Sequence, residues 1–247
     1  MALFEATHLH KRFGDQVVLE DVTLSFEKGQ LSGIMGPNGA GKSTCFNVLT
    51  GHYKPNSGTV TFEGRDITGL SPRLIAGMGI ARSFQIMNLF DEFSVLENIL
   101  VAVPQSIKRS FNPFHDICGN SEAIDKAESI LARVGLKGKE NLIASSLPYG
   151  ERRALEIAVA LASDPKLLFL DEPTQGLGAD GTALLADLIS ELKRDYSIVI
   201  IEHNMDFLFS LADTISVIHW GQVITTGSPD ELRENEWVKA SSLGEVA

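Results

Sequence analysis

The sequence predicts an α/β protein whose parallel sheet is covered by helices on both faces. Three observations predict it. The last third of the chain alternates helical and strand patterns, as crossover connections between parallel strands require. The run Gly36-Pro37-Asn38-Gly39-Ala40-Gly41-Lys42-Ser43-Thr44 fills the phosphate-binding pattern GxxxxGK[ST] between an expected strand and an expected helix. Leu167-Leu168-Phe169-Leu170 runs directly into Asp171-Glu172. A buried strand thus delivers two carboxylates to the edge where open α/β sheets bind ligands.

The elements follow in order. Apolar or alternating stretches at 17–19, 22–26, 31–35 and 59–62 read as strands, and their close spacing suits an antiparallel arrangement. A helix is expected from the glycine-rich run to near Gly51, a reasonable residue just past a helix end. Ser71-Pro72 reads as an N-cap with proline at the first helical position. From about 86 to 147 helical signals dominate. Ser94-Val95-Leu96-Glu97 is a capping box. Ser121 can cap a helix with the stripe Ile124, Ala127, Leu131 and Val134, stopped by Gly135. Between them, 104–120 has no clear period and reads as a loop. Helices are then expected at about 150–162, 180–193 and 205–212. Strands are expected at 167–170, 198–201, 215–218 and 223–225, with a last helix capped by Ser228.

Composition bounds the function. The 247 residues are 44% hydrophobic and 21% charged, close to soluble globular averages. The net charge of −11 disfavours nucleic-acid partners, whose phosphates an acidic chain repels. Cys45 and Cys118 are too few for a disulfide framework, which fits a reducing compartment. No secretory signal is expected from the first residues. No apolar run approaches the ~20 residues of a membrane span. His8 and His10 lack further ligands at zinc spacing and read as a solvated pair.

The chemistry concentrates in three places. Glycines let consecutive N–H groups of the 36–44 loop face an anion, and the following helix adds partial positive charge. Lys42 can reach phosphates, Ser43 can ligate Mg²⁺, and Thr44 can hydrogen-bond a phosphate. Asp171 would hold Mg²⁺ through water and Glu172 would polarise an attacking water. His203 follows another strand end after one glutamate, and could orient that water.

Taken in order, the phosphate loop, Gln85, a glycine-centred signature, Asp171-Glu172 and His203 resemble the nucleotide-binding subunit of ATP-binding-cassette (ABC) transporters. The resemblance covers nearly the whole chain. Arg82-Ser83-Phe84-Gln85, Ser94-Val95-Leu96-Glu97-Asn98, Leu147-Pro148-Tyr149-Gly150-Glu151-Arg152-Arg153 and Glu202-His203-Asn204-Met205-Asp206 are most similar to ATPase subunits of branched-chain amino-acid importers. It implies a P-loop NTPase core (RecA-like) with an N-terminal antiparallel β subdomain and an inserted helical subdomain. The chain is then a single domain, 1–247. Residues 1–85 and 155–247 form the nucleotide-binding core with its β subdomain, and 86–154 the helical subdomain with the signature. The cofactors are ATP and Mg²⁺, and the reaction is ATP hydrolysis. Phe13 stands where an aromatic stacks on adenine, the plainer alternative being a core phenylalanine. Gln85 matches the glutamine that meets Mg²⁺ or the attacking water.

The resemblance also implies partners. These are integral-membrane permeases, a second ABC ATPase subunit and, indirectly, a solute-binding protein, with the chain at the cytoplasmic face of the membrane. Two departures matter. Pro148 and Tyr149 stand where the signature has serine and glycine, and proline offers neither hydroxyl nor N–H. A degenerate signature leans toward a heterodimer, a homodimer being the alternative. Gly178 stands where an interface turn usually has aspartate. Rival readings are urea or amide uptake, lipopolysaccharide export, and a soluble cassette ATPase in repair or translation.

Overall fold

One central sheet separates two hydrophobic bodies, and its alternating side chains feed both. The computed structural model describes residues 2–83, 88–104, 121–236 and 238–239. Strands β3 (Leu31–Met35), β6 (Ile80–Arg82), β7 (Leu167–Asp171), β8 (Ser197–Ile201), β9 (Thr214–His219) and β10 (Gln222–Gly227) form a six-stranded sheet in the order β10-β9-β3-β8-β7-β6. Only the edge strand β10 is antiparallel to its neighbour. Along β7, Leu167 and Phe169 enter one core while Leu168 and Leu170 enter the other. Along β8, Val199 and Ile201 part from Ile198 and Ile200 in the same way. That is the period-two consequence of a pleated strand buried on both faces.

One body is closed by a four-stranded antiparallel sheet and helix α1 (Lys42–Leu49). The sheet has the order β2 (Gln16–Glu27), β1 (Ala2–Phe13), β4 (Ser57–Phe62), β5 (Arg65–Asp66). At its centre the Phe169 ring meets Phe4, Phe46 and Phe26, with centroids 5.5, 5.7 and 6.2 Å away. The other body is closed by helices. These include α3 (Val95–Leu100), α4 (Ser121–Arg133), α5 (Tyr149–Leu161), α6 (Ala179–Leu192) and α7 (Met205–Leu211). The short helices α2 (Pro72–Gly77) and α8 (Pro229–Glu234) follow their expected caps, Ser71-Pro72 and Ser228. Ser94 and Glu97 make both bonds of the expected capping box, at 3.1 and 2.7 Å. In α4, Ala127 and Leu131 are buried, and Gly135 ends the run with φ +76°.

Two expectations need correction. The stretches at 17–19 and 22–26 are one strand, β2, which passes through Asp21 at φ +60°. Its register against β1 shifts there, so an irregularity inside a strand had the composition of a turn. The stretch at 31–35 leaves the antiparallel sheet and sits mid-sheet, parallel to both β8 and β9, with all five residues buried. Burial on both faces distinguishes it from the alternating strands before it. The loop expected at 104–120 lies, apart from Pro104, outside the described residues.

Replacing Phe169 by Ala should cost about 3–5 kcal/mol of stability, since it empties the junction of four rings. Urea unfolding checks this; the midpoint should fall with little change in slope.

Candidate functional site

Because β3, β6, β7 and β8 are parallel, their carboxyl ends reach one edge of the sheet. Chain order then assigns what each delivers: the 36–41 loop, Ser83, Asp171 and the pair Glu202-His203. The loop bends around Gly39 and Gly41 and opens α1. Gly41 has φ +99°, and a Cβ there would lie 2.8 Å from the Val18 carbonyl oxygen. Glycine alone allows the loop to lie this close to β2. A cavity of about 230 Å³ is lined by Asn38, Gly39, Gly41, Lys42, Ser43, Thr44, Val18 and Glu172. It abuts the loop face that begins α1, where free N–H groups and the helix dipole favour an anion.

Lys42 is buried, and its Nζ donates to the carbonyl oxygens of Gly36 at 2.7 Å and Pro37 at 2.9 Å. Burial lowers the pKa of its ammonium, opposed by the charges of Glu172, Glu202 and Asp171. Ser43 is exposed and Thr44 half-buried in the same cavity. A second cavity of about 220 Å³ flanks the loop, lined by Gly36, Pro37, Asn38 and His203 among others.

Asp171 ends β7 almost wholly buried. Desolvation pushes its carboxyl up to about 6, against the nearby Arg82 charge. Arg82 Nη2 lies 4.0 Å from Asp171 Oδ2. The guanidinium is held by Asn47 Oδ1 at 3.1 Å and Thr50 Oγ1 at 2.8 Å, with its Cζ 4.4 Å from the Phe46 ring centre. The Ser43 hydroxyl and Asp171 carboxyl are hard oxygen donors of the kind Mg²⁺ accepts.

Glu172 turns the chain out of the sheet at φ +42°, a left-handed conformation that strains a non-glycine residue. Its N–H donates to the Ile201 carbonyl oxygen at 2.8 Å, which ties the turn to β8. His203 Nδ1 stands 4.0 Å from Glu172 Oε1, so the two expected partners share one mouth of the site.

Sequence reasoning gave no role to three further groups. Glu202 is completely buried and accepts from Thr174 N–H at 2.8 Å and Thr174 Oγ1 at 2.6 Å. It also accepts from the N–H groups of His203 and Asn204. A carboxylate directly after the apolar run of β8 was the available signal, because such a group must find donors. Tyr53 meets the Phe13 ring edge-on, with centroids 5.3 Å apart. Arg153 is buried to 1% exposure. Its bonds to the Asp171, Glu172 and Pro173 carbonyls reach a segment distant in sequence, which no local pattern announces.

The remaining expected residues fall as follows. Phe13 is 45% exposed at the end of β1, with Lys11 Nζ 4.9 Å from its ring centre, which excludes the core alternative. Gln85 lies outside the described residues. Pro148 is the N-cap of α5 and Tyr149 its first residue. Gly178 is the extended N-cap of α6, without a side chain to cap it.

The elevated Asp171 value has a stability consequence. The native state binds this proton more tightly than the unfolded chain does. The carboxyl therefore contributes stability below about pH 4 that is lost as pH rises through 6. Replacing Asp171 by Asn should stabilise the nucleotide-free chain at pH 7.5 by on the order of 1–3 kcal/mol, with the gain shrinking towards pH 4. Thermal unfolding at several pH values checks it.

Comparison with known proteins gives consistent matches. The family described as ABC transporter matches residues 19–175. The high-affinity branched-chain amino acid transport ATP-binding protein LivG of Salmonella typhimurium is 40% identical over 253 residues, covering 99% of this chain and 98% of its own. The corresponding protein BraF of Pseudomonas aeruginosa is 36% identical over 256 residues, again 99% and 98%. The crystal structure of the ADP conformation of MJ1267, an ATP-binding cassette of an ABC transporter, matches with TM-score 0.88 at 32% identity. It covers 99% of this chain and 100% of that one. A nucleotide-free cassette matches with TM-score 0.81 at 31% identity, over 100% and 96%.

Proposed function

The chain belongs to the ABC transporter family of ATP-binding proteins, and from that premise we propose that it hydrolyses MgATP as a subunit of an importer for branched-chain or related amino acids. The observation that carries the reading is the convergence, on one sheet edge, of the phosphate loop, buried Asp171 and the Glu172–His203 pair.

In this reading the N–H groups of residues 36–44 cradle the phosphates. Lys42 exchanges its carbonyl partners at Gly36 and Pro37 for phosphate oxygens. Ser43 would ligate Mg²⁺ and Asp171 would hold it through water, with Gln85 as a further ligand by resemblance. Mg²⁺ supplies neutralisation of the charge on the phosphates. Glu172 takes the proton of the attacking water and His203 orients it. Phe13 stacks on adenine; its exposed ring at the hairpin end, braced by Tyr53, suits that task.

The transport assignment draws on the full-length relatives, which are described as amino-acid transport ATP-binding proteins. They favour import over lipopolysaccharide export or a soluble repair or translation role. No helix among the described residues is long and apolar enough to cross a membrane. We assign the path to permease subunits, docked at the cytoplasmic face in a groove that the segment 86–98 of the helical subdomain helps form, with a solute-binding protein supplying the amino acid. Pro148 removes a hydroxyl and an N–H from the signature, which favours a second, different ATPase subunit as partner.

Glu172→Gln keeps the shape and removes the base. It should bind ATP as the wild type does and hydrolyse it about 10²–10⁴ times more slowly. Phosphate release and equilibrium ATP binding measured together check this; unchanged hydrolysis would remove Glu172 from the role.

A further inference from the structure

We propose that Tyr149 and Arg153 are positioning residues for hydrolysis. Together they fix the backbone that carries Glu172 to helix α5. The two residues lie four apart, one turn along the first half of α5, and so share a face. Both reach the segment that leaves β7. Arg153 Nη2 donates to the carbonyl oxygens of Asp171 at 3.1 Å and Glu172 at 2.8 Å. Its Nε donates to the Pro173 carbonyl oxygen at 3.1 Å. Tyr149 Oη donates to the Gln175 carbonyl oxygen at 3.0 Å. Of the five carbonyls from 171 to 175, four therefore accept from α5.

Residue 174, between them, is held from the opposite side. Its N–H and hydroxyl both donate to Glu202. The segment is thus gripped between α5 and the end of β8. The grip falls where backbone strain needs it, because Glu172 holds φ +42°. Arginine suits the position on geometric grounds. Its planar fork offers donors in several directions at once, whereas a lysine ammonium acts as a point charge. The remaining arm, Nη1, is 2.5 Å from Glu156 Oε2, which balances the buried charge.

The tyrosine contact is equally specific. Gly176 has φ +79°, and a Cβ there would lie 2.9 Å from Tyr149 Oη and 3.0 Å from Cζ. The ring occupies space that only glycine at 176 leaves open. The residue that departs from the resembled signature therefore packs on the turn after Glu172. A displacement of α5 drags the Glu172 backbone with it, and the carboxylate's aim follows the position of the helix.

The inference rests on Glu172 acting as the base, and the test separates the two claims. Steady-state MgATP hydrolysis by the full chain is measured for wild type, Tyr149→Phe, Arg153→Lys and Glu172→Gln, with ATP affinity and thermal unfolding in parallel. Tyr149→Phe removes one hydroxyl and keeps the ring. Arg153→Lys keeps the charge beside Glu156 and loses the fork. The expected result is a kcat lowered about threefold to tenfold in Tyr149→Phe and at least tenfold in Arg153→Lys. KM and ATP affinity should stay within about twofold of wild type in both. If Arg153→Lys does not fold, Tyr149→Phe alone decides. Wild-type kcat in the folded variants, with Glu172→Gln inactive, overturns the clamp and leaves the base in place. Losses that appear in KM or ATP affinity instead of kcat also overturn it. Wild-type activity in Glu172→Gln overturns both.

Discussion

Buried charge at the carboxyl edge of the sheet is the constraint on which the rest of this structure depends. Lys42, Arg153, Glu156, Asp171 and Glu202 are all buried there or close by. Taking any of them out of water is costly unless partners replace the lost hydration. Arg153 answers with three backbone carbonyls and one carboxylate, Glu202 with Thr174, and Lys42 with two loop carbonyls. Asp171 is the least well served, and its elevated proton affinity records that deficit. In the proposed reading this carboxylate serves Mg²⁺, so one residue sets stability against function.

The fold supplies the rigid frame this charge needs. Alternate side chains of β7 and β8 lock into opposite cores, so neither strand can slide without exposing apolar surface on both faces. The phenylalanine cluster beneath the phosphate loop braces α1 from below, and Phe46 in that cluster also carries the Arg82 guanidinium on its ring. The electrostatics of Asp171 are therefore tied to core packing through a single arginine.

Local chemistry was legible in the sequence and long-range geometry was not. The phosphate loop, the Ser94 capping box, the Ser228 cap and the strand ending in Asp171-Glu172 announce themselves through neighbours a few residues apart, and the structure contains each. The fold class followed from the alternation in the last third. The placement of β3 was hidden because the stretch 31–35 carries no mark of which sheet it joins; only burial on both faces decides it. The division at Asp21 was misleading because a strand irregularity and a turn use the same residue types. Tyr149 read as a lost glycine, because its partner at Gln175 lies 26 positions away. Arg153 was hidden for the same reason, whereas Glu202 showed in the sequence that it must find donors but not that Thr174 supplies them. Gln85 stays with the family resemblance, outside the described residues.

In the proposed reading the loop 36–44 and its surrounding charges form a MgATP site. Calorimetric titration of MgATP into the full-length chain, alongside Lys42→Ala, tests it most directly. Saturable binding at one site per chain is expected, weakened at least tenfold when the Lys42 ammonium is removed. Equal affinity in the two proteins, or no binding to either, would contradict it.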